Sequence, residues 1–118
     1  MENASFITTK DGDDLIVSFA IPVDEDWDVK SLTLLRTPKH EFILDEYERG
    51  VRVSSEDFPD NENELLQQVA IKGKMATITS NYRTYTVSIK DVDDVEIKKA
   101  KRILKKMNFD RRFELNIV

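Results

Sequence analysis

Between Leu66 and Lys90 the chain alternates apolar and polar residues three times in succession, and this run restricts the fold more than any other feature. Period-two segments cover Leu66 to Lys72, Met75 to Ser80 and Arg83 to Lys90, leaving only Gly73-Lys74 and the neighbourhood of Asn81-Tyr82 for turns. The spacing predicts a three-strand antiparallel meander. In its last strand Tyr85, Val87 and Ile89 alternate with Thr84, Thr86 and Ser88, which sends one face to a core and leaves hydroxyls on the other.

The first half extends this pattern. Leu15, Val17, Phe19 and Ile21 share one face of a strand from Asp13 to Ile21 that Pro22 ends. Phe6 to Thr9 precedes it across Lys10-Asp11-Gly12-Asp13, whose Asp-Gly pair favours a hairpin turn. Leu32 to Arg36 forms a third strand, closed by a turn at Thr37-Pro38-Lys39. Over residues 41 to 54 the preferred reading is a hairpin pairing Glu41-Phe42-Ile43-Leu44 with Val51-Arg52-Val53-Ser54. Its rival is a short helix from about 40 to 48 that Gly50 stops. Ser55 to Asn63 is an acidic loop without periodicity.

One helix stands out near the C-terminus. Asp93 followed by Glu96 resembles a capping box, and Asp94 adds negative charge to the first turn. Ile97, Ala100, Ile103, Leu104 and Met107 form an apolar stripe, lysines fill the last turn, and Asn108 suits a left-handed stop. A helix over about 93 to 107 follows. After it Phe113, Leu115 and Ile117 alternate with Glu114 and Asn116 as a final strand. The fold class is therefore α+β: about seven or eight short, mostly antiparallel strands in a strongly bent sheet or small barrel, with one amphipathic helix. No βαβ alternation points to a parallel nucleotide-binding sheet. With 118 residues, 40% of them hydrophobic, and no linker or repeat, one compact domain over 1–118 is expected.

Composition removes whole classes of chemistry. The chain has no cysteine and a single histidine, His40, so thiolate metal sites, cysteine nucleophiles and paired histidines are excluded. Its three glycines, Gly12, Gly50 and Gly73, lie too far apart for a phosphate loop, so no nucleotide or other cofactor is expected. Neither a secretory signal nor an apolar run of membrane-spanning length occurs, which predicts a cytoplasmic protein without membrane partners.

Charge is unevenly divided. Residues 1 to 64 carry 17 acids and six bases, a net −11, whereas residues 65 to 118 carry six acids and 12 bases, a net +6. Such a split bears on partner choice and steering more than on fold. Asp24, Asp26 and Asp28 stand at the spacing that begins a calcium loop, but Val29 and Leu35 occupy the places of its glycine and glutamate; a solvated turn, with Trp27 folded on the core or offered as a protein contact, is the alternative. Lys98, Lys99, Lys101, Arg102, Lys105 and Lys106 form a basic helix face, with Arg111 and Arg112 just beyond. That face can serve an acidic protein, a phosphate backbone through Lys98, Arg102, Lys105, Arg111 and Arg112, or only solvent and the helix dipole. An acidic chain overall argues against the nucleic-acid use. Tyr82, Arg83 and Tyr85 interleave aromatic and basic residues, with Tyr85 on the face of Arg83 and packed toward the core. His40 reads as a turn residue. Two strings, Leu34-Leu35-Arg36-Thr37-Pro38 and Met107-Asn108-Phe109-Asp110, are distinctive but resemble no characterised family.

These readings converge on a small, non-enzymatic protein-binding or regulatory domain that uses its acidic and basic surfaces, including for association with itself. The alternatives are a nucleic-acid-binding module using residues 98–112 and an enzyme with an acidic pocket.

Overall fold

A computed structural model describes residues 2–23, 28–58 and 63–117. The order of elements is β1 (Glu2–Asn3), β2 (Phe6–Asp11), β3 (Leu15–Pro22), β4 (Val29–Arg36), two 3₁₀ turns (Pro38–Ile43 and Glu46–Glu48), β5 (Arg52–Ser55), β6 (Leu66–Lys72), β7 (Met75–Ser80), β8 (Thr84–Ser88), α1 (Asp94–Met107) and β9 (Glu114–Ile117). The expected α+β class holds, with mostly antiparallel strands, one helix and a final strand.

The strands make two sheets. One runs β2-β3-β4-β5 and is antiparallel throughout; the other runs β1-β8-β7-β6-β9, and both of its outer strands lie parallel to their neighbours. Main-chain bonds stitch the sheets together at two margins. Ala4 N donates to Ser88 O and Ser5 N to Ala20 O on one side; Val53 N donates to Glu64 O and Leu66 N to Val51 O on the other. The result is two sheets sharing one core, in place of the single bent sheet or small barrel expected.

Local chemistry explains the pieces. The expected hairpin forms, but Asp11 is the last residue of β2 and pairs with Leu15 across the three-residue loop Gly12-Asp13-Asp14, and β3 buries Leu15, Val17, Phe19 and Ile21. On the outer face of the same sheet Ser18 pairs with Thr33, and their hydroxyls meet at 2.9 Å. Gly73 takes φ +58° in the turn between β6 and β7, a left-handed position that glycine occupies without steric cost. The stripe Ile97, Ala100, Ile103, Leu104 and Met107 is fully buried, and α1 lies against β2 and β3 and reaches β9.

Several expectations need correction. Residues 41–44 do not pair with 51–54, nor do residues 40–48 form one α-helix: the stretch is two separate 3₁₀ turns, and β5 pairs with β4 instead. The cause is Glu41, whose buried carboxylate is drawn to Arg36 and leaves Phe42 and Ile43 facing out. The capping box is only half formed. Asp93 accepts from Val95 N, but Glu96 turns away from Asp93 and accepts from Ile7 N at 2.8 Å, covering an edge N–H of β2. Asn108 is not left-handed (φ −96°); Arg111 is, at φ +56°. Ser88 is buried, unlike the exposed Thr84 and Thr86. Strand β4 starts at Val29, earlier than expected, and β8 is shorter.

Candidate functional site

Period two sends Leu32, Leu34 and Arg36 to the inner face of β4, so the strand ends by burying a guanidinium that is 1% exposed. Such a charge persists only if its donors are satisfied. All five are. Nε and Nη2 donate to the two carboxylate oxygens of Glu41 at 2.8 and 2.9 Å, Nη1 and Nη2 donate to those of Asp110 at 2.8 Å each, and Nη1 also reaches Met107 O at 2.7 Å. The Phe109 ring lies 4.2 Å from the guanidinium carbon. Burial works against the charged form of Arg36, but the bonds to Asp110 and Glu41 outweigh it and hold its pKa above the ordinary range. Reciprocally, the bond from Arg36, helped by one from Arg112, lowers the Asp110 carboxyl to about 2.

This cluster joins distant segments. Arg36 fixes the first 3₁₀ turn through Glu41 and the end of α1 through Met107 and Asp110. Arg112 donates to Glu46 O at 2.8 Å and to Asp110 at 2.7 Å, fixing the second turn. Held in this way are Phe42, Ile43, Tyr47 and Phe109, which are 76%, 71%, 78% and 60% exposed. Beside them Ile43, Leu44, His40 and Gly50 help line a depression of about 280 Å³. These large apolar side chains stand on clamped, irregular backbone, with Asp45, Glu46 and Glu48 beside Tyr47 in the sequence.

The basic residues of α1 differ in exposure. Lys98, Lys99, Arg102, Lys105 and Lys106 are exposed and Lys101 is half-buried. At 100° per residue, Lys98, Arg102 and Lys105 lie opposite the buried stripe, in a row about 10 Å long. None of Lys98, Lys99, Lys101, Arg102 and Lys105 has an ionic partner among the described residues, whereas Lys106 pairs with Asp11 at 2.7 Å. Arg111 is exposed; Arg112 is turned inward onto Asp110 and Glu46 O and is not a free phosphate contact. Asp24, Asp26 and Trp27 lie outside the described residues. Asp28 is exposed, and its carbonyl accepts from Val23 N.

A second concavity, of about 320 Å³, opens between β8 and the ends of β3 and β4. Lys30 sits in it between Glu2 and Asp57, and these two hydrogen bonds, Asp57 first, push its pKa up. An enzyme with an acidic pocket needs carboxylates at work on a substrate; here both are tied to one lysine. Nearby, Glu64 is not a solvated loop acid but 2% exposed, accepting from Ser80 Oγ at 2.6 Å and Tyr85 Oη at 2.7 Å. Burial and then the Glu64 bond push the Tyr85 phenol up to about 12. Arg83 stacks 3.7 Å from the centre of the Phe58 ring, and Tyr85 shares its face, half-buried against the core.

Comparison with protein-family models, with curated proteins and with solved structures found no match, so the site is read from its own geometry. Sequence reasoning missed the clamp and the patch it presents. The signal was nevertheless there: the two strings Leu34 to Pro38 and Met107 to Asp110 contain Arg36, Met107, Phe109 and Asp110, and the fold brings them into contact.

Proposed function

We propose that the protein is a non-enzymatic binding module for another protein, and that its contact surface is centred on Phe42, Ile43, Tyr47 and Phe109. The observation that carries this reading is the exposure of four large apolar side chains on backbone that a buried arginine holds in place. Exposed apolar chains scattered singly need no explanation, but ones held on pre-organised backbone reduce the ordering cost of association. The charged margins, acidic at residues 45–48 and basic at the end of α1, supply steering and orientation.

Affinity capture from the cells that make the protein tests the proposal, comparing the native chain with a Phe42→Ser, Tyr47→Ser variant and with Tyr82→Ser as a control elsewhere on the surface. A partner retained by the native chain and the control but lost by the double variant is expected. An identical captured set for all three overturns the reading.

The row Lys98, Arg102 and Lys105, without an ionic partner among the described residues, favours a second reading, contact with a nucleic-acid backbone. Titration of labelled DNA and RNA at low and high salt decides it: binding that weakens steeply with salt and is lost in Lys98→Glu, Arg102→Glu supports this use, and no binding at low salt removes it.

A further inference from the structure

We infer that the partner of this surface is a second copy of the same chain, related by a two-fold axis through the patch; the inference rests on the protein-binding reading above. Three observations point to self-association. First, the area is right. At roughly 150–250 Å² for an aromatic side chain, the exposed parts of Phe42, Ile43, Tyr47 and Phe109 come to roughly 500 Å². A standard interface takes about 800 Å² per partner, of which a little over half is apolar.

Second, the charges that border the patch are separated by sign. Asp45, Glu46 and Glu48 flank Tyr47 at the second 3₁₀ turn, where Glu46 already lies 3.9 Å from Arg112, while Lys105 and Arg111, both exposed and without an ionic partner among the described residues, flank Phe109 at the helix end. Arg36, Asp110 and Arg112 lie between the two margins. A two-fold rotation sets the acidic margin of one copy against the basic margin of the other, twice over, and closes the contact without leaving an open end. A foreign partner would have to reproduce this arrangement; a second copy has it already.

Third, the arrangement gives the sequence's charge division a use. The acidic margin comes from the half of net −11 and the basic margin from the half of net +6, so like charges are kept out of the contact.

Sedimentation equilibrium of the full chain over a concentration series, at low and high salt, is the test. The expected result is a rise in apparent mass toward twice the monomer, weaker at high salt. Two charge-reversed proteins, Asp45→Lys with Glu48→Lys and Lys105→Glu with Arg111→Glu, should each be monomeric, and their equimolar mixture should regain the dimer. Circular dichroism establishes that each is folded. Should either reversal not fold, Phe42→Ser with Tyr47→Ser takes its place and should be monomeric. A native chain that stays monomeric at millimolar concentration and low salt overturns the inference, as does a dimer indifferent to both reversals or a mixture that fails to reassociate. If the native chain is monomeric yet the Phe42→Ser, Tyr47→Ser variant loses a captured partner, only the self-association falls. A dimer that survives this double substitution overturns self-association through this patch and leaves the capture experiment to decide the protein-binding reading.

Discussion

Arg36 and Asp110, 74 residues apart in the chain, meet through two parallel hydrogen bonds of 2.8 Å each, with the arginine side chain fully shielded from water. The pair unites the end of the first sheet with the end of the helix. Because Glu41 shares the same guanidinium, removing Arg36 leaves a buried carboxylate without its counter-ion. Arg36→Ala should therefore destabilise the fold by about 3–5 kcal/mol, the usual cost of breaking a buried pair from one side. Urea unfolding measures it; a midpoint close to native would show that the cluster relaxes into solvent.

Acid should find Asp110 among the groups that matter. Its folded pKa of about 2 lies below the ordinary aspartate value. The depressed value means a contribution present above about pH 4 and lost as pH falls toward 2. Thermal unfolding followed across that window should show native stability falling, and Asp110→Asn should show a shallower fall from a lower starting point. Parallel curves for the two proteins would remove Asp110 from the acid response.

At the alkaline end the sign reverses. Tyr85 keeps its proton up to about 12 because burial and the bond to Glu64 favour the neutral phenol. A raised folded pKa contributes stability that is full below about pH 10 and lost as pH rises through 12. Ultraviolet titration should find a tyrosine step near pH 12, and Tyr85→Phe should abolish it. A titration unchanged by Tyr85→Phe would contradict it.

The two acids at the start of α1 should separate by experiment. Asp93→Ala removes an N-cap and should cost about 1 kcal/mol. Glu96→Ala uncovers the Ile7 N–H, so hydrogen exchange at Ile7 should accelerate in this variant and stay near native in Asp93→Ala. Equal exchange in both would mean that Glu96 serves its own helix after all.

Much of this fold was legible because its signals are local. The meander over residues 66–88, the hairpin at Gly12 and the stripe on α1 each follow from a period and a turn within a few residues of one another. What escaped depends on contacts between remote positions. Glu41 reads as a helix or strand residue until Arg36 claims it, and Glu96 reads as a capping residue until Ile7 arrives beside it. The exposure of Phe42 and Ile43 was illegible for the same reason: they stand beside Glu41, whose carboxylate Arg36 draws inward. The basic helix face could be read directly, since the apolar stripe fixes its opposite.

The parallel pairing of β1 with β8 carries a consequence for the order of assembly. Glu2 is matched with Val87, and Gln68 with Glu114, so neither outer strand of the larger sheet has its mate until distant sequence has arrived. The antiparallel hairpins close short loops and form early; the flanking strands close last, against a larger entropic cost. During synthesis the nascent chain must therefore carry an incompletely flanked β6–β8 meander until the segment after the helix emerges, and refolding should show a slow final phase as the two edges dock.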